Sequence, residues 1–75
     1  MEKVKVAPPF IKLEQFLKFS NVAETGGMAK MMISDGIVTV NGEVCIMRGK
    51  KLYNNDVVVV HFEEETQELI CVIEE

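Results

Sequence analysis

Residues 26–42, Gly-Gly-Met-Ala-Lys-Met-Met-Ile-Ser-Asp-Gly-Ile-Val-Thr-Val-Asn-Gly, leave the chain little freedom in how it folds. Thr25 stands where a helix N-cap is wanted, and Gly36 where a helix C-terminus needs a residue of positive φ. Between them the spacing predicts a helix over about Gly27 to Asp35, with Ala29, Met32 and Ile33 on its apolar side. Ile37 to Val40 is β-branched throughout, and Asn41-Gly42 is the strongest two-residue hairpin signal. Helix, stop, strand and turn follow with no spare residues, so the two helical and extended elements must pack close together.

The flanking sequence supplies the rest of the fold. Lys3 to Val6 is expected to form an edge strand closed by Pro8-Pro9. Phe10, Leu13, Phe16 and Leu17 recur at helical spacing, which predicts a first amphipathic helix over residues 10–19. A loop from Asn21 holds the Gly26-Gly27 pair. After the hairpin come the basic turn Arg48-Gly49-Lys50-Lys51-Leu52, the turn Asn54-Asn55-Asp56 and a strand from Val57 to Phe62. Glu63 to Gln67 then reverses the chain into a last strand, Leu69 to Ile73. The fold class is α+β: two helices on one face of a small, mostly antiparallel sheet. Seventy-five residues make one domain near the lower limit of what a single core supports. That core must consist of Leu13, Phe16, Leu17, Ala29, Met32 and Ile33 against the β-branched strands, because nothing else is available. Phe10 joins Phe16 in the expected core. Phe19 and Tyr53 are left open, and Tyr53, beside the basic turn, stands where it can stack on a base.

Charge is unevenly distributed. The chain carries a net −4, but residues 61–75 hold six acids (Glu63, Glu64, Glu65, Glu68, Glu74, Glu75) and no Lys or Arg. The first 60 residues therefore carry eight bases against six acids, and a basic face is open to them. The acidic end reads as a solvated hairpin that aids solubility. No apolar run approaches the length of about 20 residues that a membrane helix needs, and Met1-Glu2-Lys3-Val4-Lys5 has no signal-peptide core, so a cytoplasmic protein with no membrane partner is expected. Cys45 and Cys71 are expected to be free thiols packed as small hydrophobes. One His and two distant Cys do not make a zinc site, and no metal or cofactor is expected.

Several cations fall where they can share a surface. Lys30 and Ser34 are one turn apart on the side away from Ala29 and Ile33, with Gly27 close by. Lacking a side chain, Gly27 lets a backbone or phosphate approach the start of that helix. In the first helix Lys12 and Gln15 fall at i and i+3 on one flank of the apolar face. Taken singly, each of these is also what a solvated helix face looks like. The turn Arg48-Gly49-Lys50-Lys51 is the stronger signal, because three cations in four residues repel one another unless an anion is present.

The run Ile11-Lys12-Leu13 with Gln15-Phe16-Leu17-Lys18, then Gly26-Gly27 with Ala29-Lys30, resembles the RNA-binding domain of small-subunit ribosomal protein S-four. So do Ile33, Gly36, Val38, Val40-Asn41-Gly42 and Arg48-Gly49-Lys50-Lys51-Leu52 with Asp56. More narrowly, the chain looks like the short stand-alone bacterial members of that superfamily, the YaaA/YbcJ-like proteins. The resemblance covers about residues 4 to 62. It implies the αL motif, with a motif core over about residues 10–58; the acidic C-terminal hairpin, over 59–75, is read from charge and strand pattern instead. The resemblance also implies docking on structured RNA, ribosomal RNA first among the candidates, without catalysis by the domain itself. Lys12 matches a base opening the first helix, Lys30 the base after the alanine of the second, and Arg48, Lys50 and Lys51 the basic turn. Two positions depart from the pattern: Met47 stands where the stand-alone members commonly have a second arginine, and Asn55 where they have glycine. Asn tolerates the left-handed conformation that such a turn requires.

The expected site is thus Lys12, Lys30, Arg48, Lys50 and Lys51 as phosphate contacts, with Gln15, Ser34, Gly26 and Gly27 as neighbours. The hairpin is expected to return residues 48–51 toward the N-terminal end of the second helix. Such a face reads RNA by shape and backbone, as a monomer docking on RNA or on a ribosomal particle. Catalysis finds little support. His61 follows four valines and reads as a strand residue, Asp35, Glu43 and Asp56 sit at turns, and no nucleophile–base set or phosphate-binding glycine loop is present. The rival from another class is a protein-interaction adaptor using a sheet edge and the acidic hairpin to bind a basic partner.

Overall fold

The computed structural model describes residues 1–74; Glu75, the last of the terminal acids, lies outside the described residues. Along the chain run β1 (Glu2–Val6), β2 (Ile11–Lys12), α1 (Leu13–Phe19), α2 (Gly26–Ser34), β3 (Val38–Val40), β4 (Glu43–Val44), β5 (Lys51–Leu52), β6 (Val57–His61) and β7 (Thr66–Ile73). Five strands form a sheet in the order β1-β7-β6-β3-β4, and β2 with β5 makes a separate two-stranded ladder. Only β1 runs parallel to its neighbour β7; the other pairs are antiparallel. The α+β architecture is the expected one.

Strand alternation explains which side the helices occupy. Val4, Val6, Val38, Val40, Val58, Val60, Leu69 and Cys71 are buried at every second position, as the two-residue period of a strand requires. They meet Leu13, Phe16, Leu17, Ala29, Met32 and Ile33 in one cluster, the core expected from the helical spacing. The terminal hairpin belongs to this sheet: β7 lies between β1 and β6, and Leu69 and Cys71 are fully buried. Both cysteines are free. Burial, reinforced by the nearby Asp56 carboxylate, pushes the Cys71 thiol above its ordinary pKa.

The local signals are realised closely. Thr25 Oγ1 accepts the Met28 N–H at 3.1 Å and caps α2. Gly36 has φ +77°, and the Asn41-Gly42 turn has φ +51° and +87°, both central residues left-handed as a hairpin of this twist needs. Asn55, in the glycine position of the family pattern, takes φ +73°.

The first helix differs from expectation. It begins at Leu13 rather than residue 10, because Ile11 and Lys12 are drawn into an extended ladder opposite Leu52 and Lys51. Phe10 is therefore outside the helix. It is half-buried against Tyr53, with ring centroids 6.2 Å apart, and is not part of the core. Cys45 also lies outside a strand, half-buried in the loop that follows β4.

Candidate nucleic-acid interface

The first N–H groups of a helix have no partner within it. In α1 they find one in the basic turn: Leu13 N–H donates to the Lys50 carbonyl at 2.8 Å and Glu14 N–H to the Arg48 carbonyl at 3.1 Å. A further bond within the turn, Lys50 N–H to the Met47 carbonyl at 3.1 Å, closes it. The turn is thus fixed to the helix through its backbone, and all three cationic side chains are left exposed.

This placement corrects one expectation. Residues 48–51 dock on the start of α1, and the flank of the turn runs beside the later half of α2, where Arg48, Ile46 and Met47 share a groove with Lys30, Met31 and Ser34. The cause is chain direction. The C-terminus of α2 leads into β3, and β4 sends the chain back past Val38, whose carbonyl accepts the Cys45 N–H at 3.0 Å. The chain leaving β4 thus returns toward the end of α2, not toward its start.

The expected cations fall into two connected groups. Lys12 and Lys51 are direct cross-strand partners in the β2–β5 ladder, next to Lys50. Lys30 and Arg48 line the α2 groove together with Ser34. Among the described residues the one ion pair is Lys5–Glu74 at 3.3 Å, so none of these five cations is neutralised by a carboxylate there. Like charges directly opposite in a ladder are destabilising, and Lys12 facing Lys51 is such a pair.

The polar neighbours have local roles as well. The Gln15 side-chain oxygen accepts the Lys12 N–H at 3.4 Å, a long bond across the start of α1. Ser34 Oγ donates to the Met31 carbonyl at 3.1 Å. Gly26 and Gly27 open α2 one turn before Lys30. Neither has the positive φ that would demand glycine, and an added Cβ would meet nothing within 4 Å at Gly26 and only Thr25 Oγ1, at 3.7 Å, at Gly27. Packing and backbone geometry thus give no reason for glycine at either position.

Behind the turn, three side chains form a unit that the sequence pattern did not reveal. Lys51 Nζ lies 4.7 Å from the centroid of the Phe10 ring, and Phe10 packs against Tyr53 at an interplanar angle of 53°. The early extended start at Ile11, set by the ladder, is what releases Phe10 for this role. The exposed apolar side chains Met31, Ile46 and Met47 beside Lys30 and Arg48 were equally hidden, because Cys45-Ile46-Met47 reads as a continuing strand. Tyr53 is anchored by its N–H, donated to Asp56 Oδ2 at 2.7 Å. Asp56 Oδ1 accepts from Asn41 Nδ2 at 3.0 Å, and Asn41 Oδ1 accepts the Val57 N–H at 2.9 Å. The hairpin turn and the Tyr53 turn are thereby tied together. The acidic turn at Glu63–Glu65 leaves the opposite end of β6, roughly 13 Å from Val57 at about 3.3 Å per residue.

The sequence matches the S4 domain family over residues 4–69, and the chain belongs to that family. It is also similar to the probable ribosome maturation protein RlbA of Bacillus subtilis (strain 168), with 44% identity over 57 residues, 76% of this chain and 80% of that protein. No helix is long and apolar enough to cross a membrane among the described residues.

Proposed function

We propose that this chain is a non-catalytic RNA-binding protein that docks, as a single copy in the cytoplasm, on structured ribosomal RNA during ribosome assembly or translation. Lys12, Lys30, Arg48, Lys50 and Lys51 contact phosphates, Ser34 and Gln15 flank them, and the bare backbone at Gly26-Gly27 admits a further phosphate to the start of α2. The observation that carries this reading is the cross-strand pair Lys12–Lys51 inside a cluster that no carboxylate neutralises among the described residues. A fold gains nothing from assembling mutually repelling charges, whereas an RNA backbone relieves the repulsion on binding. Membership of the S4 domain family and similarity to a probable ribosome maturation protein point to the same class of partner.

Crosslinking in cells followed by sequencing of the bound RNA identifies the target, and a salt titration with that RNA tests the face. With about four phosphate contacts, log affinity falls against log salt with a slope near −3 to −4, at roughly 0.7–0.9 per contact. Replacing Lys50 and Lys51 together by Ala is expected to flatten the slope by about two contacts' worth and to leave the melting temperature nearly unchanged. Replacing Glu63, Glu64 and Glu65 by Gln is expected to leave the slope alone. A Lys50/Lys51 variant that binds as the parent does, with a Glu63–Glu65 variant that loses its partner, moves the working surface to the acidic turn and supports a protein adaptor instead.

A further inference from the structure

A cleft on the sheet side of the basic turn has a charge arrangement unlike that of the α2 groove. Lys50 and Lys51 line it together with Glu43, the first residue of β4. Asp56 also lines it, but its two oxygens are taken by Asn41 and the Tyr53 N–H. The same lining includes Val44, Ile46 and Met47, each more than 60% exposed, and Tyr53, 52% exposed. A continuous track of phosphates does not suit such a cleft, because an acidic side chain in its lining, Glu43, repels them. A single nucleotide does suit it: the phosphate sits against the cations, the base lies between the aromatic ring and the apolar side chains, and the N–H edge of the base meets the carboxylate.

From this juxtaposition we infer that the cleft receives one unpaired nucleotide of the bound RNA, with its base stacked on Tyr53 and its phosphate on Lys50. The inference rests on the RNA-binding reading above and sharpens it, since it adds base contact at one point to a face that otherwise tracks backbone. Tyr53 is built as a platform. Its backbone is fixed by Asp56, and its ring is supported by Phe10, which is itself held under the Lys51 ammonium. Base–aromatic stacking needs such a preformed surface and tolerates different bases, because every base has a π-face. Glu43 favours guanine among them, since guanine offers adjacent N–H donors on its Watson–Crick edge to an acceptor-only side chain.

The chain contains one Tyr and no Trp, so its intrinsic emission reports Tyr53 alone. The probes are three synthetic RNA hairpins with one stem: fully paired, with a single bulged guanosine, and with an abasic residue at the bulge. The guanosine hairpin is expected to quench Tyr53 emission and to bind about ten-fold more tightly than the abasic one, the size of one stacked base. Tyr53→Ala is expected to abolish that difference in a protein that is still folded at the assay temperature, and Tyr53→Phe, which keeps the ring on Phe10, to retain it. Equal binding of the guanosine and abasic hairpins with unquenched Tyr53, while Lys50→Ala/Lys51→Ala weakens both, overturns the nucleotide cleft and leaves the backbone-docking face standing. If none of the three hairpins binds, the cleft and the RNA-binding reading fall together.

Discussion

Replacing Lys12 by Gln is expected to make the protein more stable and its RNA binding weaker, and the opposite signs are the test. In the β2–β5 ladder Lys12 stands directly opposite Lys51. At a separation of about 8 Å two unit charges in water repel by about 0.5 kcal/mol. At physiological salt the screening length is about 8 Å, which leaves about 0.2 kcal/mol. The gain on neutralising Lys12 is therefore about 0.2–0.5 kcal/mol, largest at low salt and at the lower end of what a cross-strand pair is worth. For a domain of this size that raises the melting temperature by about 1–4 °C. Lys12 suits the test better than Lys51, whose ammonium also sits over the Phe10 ring. Thermal denaturation followed by circular dichroism, at low and at physiological salt, measures the stability. Titration of the crosslinked RNA target by fluorescence anisotropy measures the binding, where the salt slope should lose about one contact, roughly 0.7–0.9. A variant that melts higher but keeps the parental slope shows that Lys12 meets no phosphate. One that melts lower shows that the repulsion argument is wrong.

The Leu17→Ala variant removes a fully buried side chain between α1 and the sheet and should cost about 2–5 kcal/mol, measured by urea denaturation; an unmoved midpoint refutes the packing described here. Gly26→Ala and Gly27→Ala should each stabilise α2, by up to about 1 kcal/mol, because neither glycine is required by φ or by packing; unchanged RNA affinity in both variants would mean that no phosphate approaches the start of α2. The raised pKa of Cys71 gives a pH dependence of definite sign. The folded state holds the neutral thiol, so its contribution is fully present below the ordinary thiol pKa and is lost as pH rises through the folded value. Melting temperature should thus fall on the alkaline side, less steeply in Cys71→Ala at matched pH, and an identical alkaline fall in both proteins removes Cys71 as the cause.

The fold was legible where the signal was local. Thr25, Gly36, Asn41-Gly42 and Asn55 each dictate a backbone conformation by their own chemistry, and each adopts it. The buried set of α1 and α2 was legible for a similar reason, since helical periodicity marks a face without reference to what covers it. The misplaced start of α1 marks the limit of this reasoning. Phe10 and Leu13 have helical spacing, but the backbone of Ile11 and Lys12 pairs with Leu52 and Lys51, some forty residues later in the chain, and that pairing overrides the local period. Phe10 was lost from the core for the same reason.

The candidate face depends almost entirely on such distant pairings. Composition marks Arg48, Lys50 and Lys51 as a repelling cluster, but nothing in a linear sequence places Lys12 across from Lys51 or Lys30 beside Arg48. Those neighbours follow from two features that act jointly: the tight Asn41-Gly42 reversal sends the chain back past Val38, and the unpaired N–H groups of Leu13 and Glu14 then hold the returning turn by its carbonyls. Fixing the turn through its backbone has a consequence for binding. The cations need no ion pair to hold the loop in place, so, apart from the contact of the Lys51 ammonium with the Phe10 ring, their charged groups stay open to a ligand, and less backbone freedom is lost when the ligand arrives. On this argument the contact between α1 and the basic turn, more than any single lysine, sets the affinity of the face. Pro in place of Glu14 deletes the N–H that holds the Arg48 carbonyl, at the second position of α1, where that N–H has no partner within the helix. The variant should keep all five cations and the salt slope, yet bind more weakly at every salt concentration because the turn is looser. Parental affinity in a folded Glu14→Pro protein would show that the turn needs no such anchor.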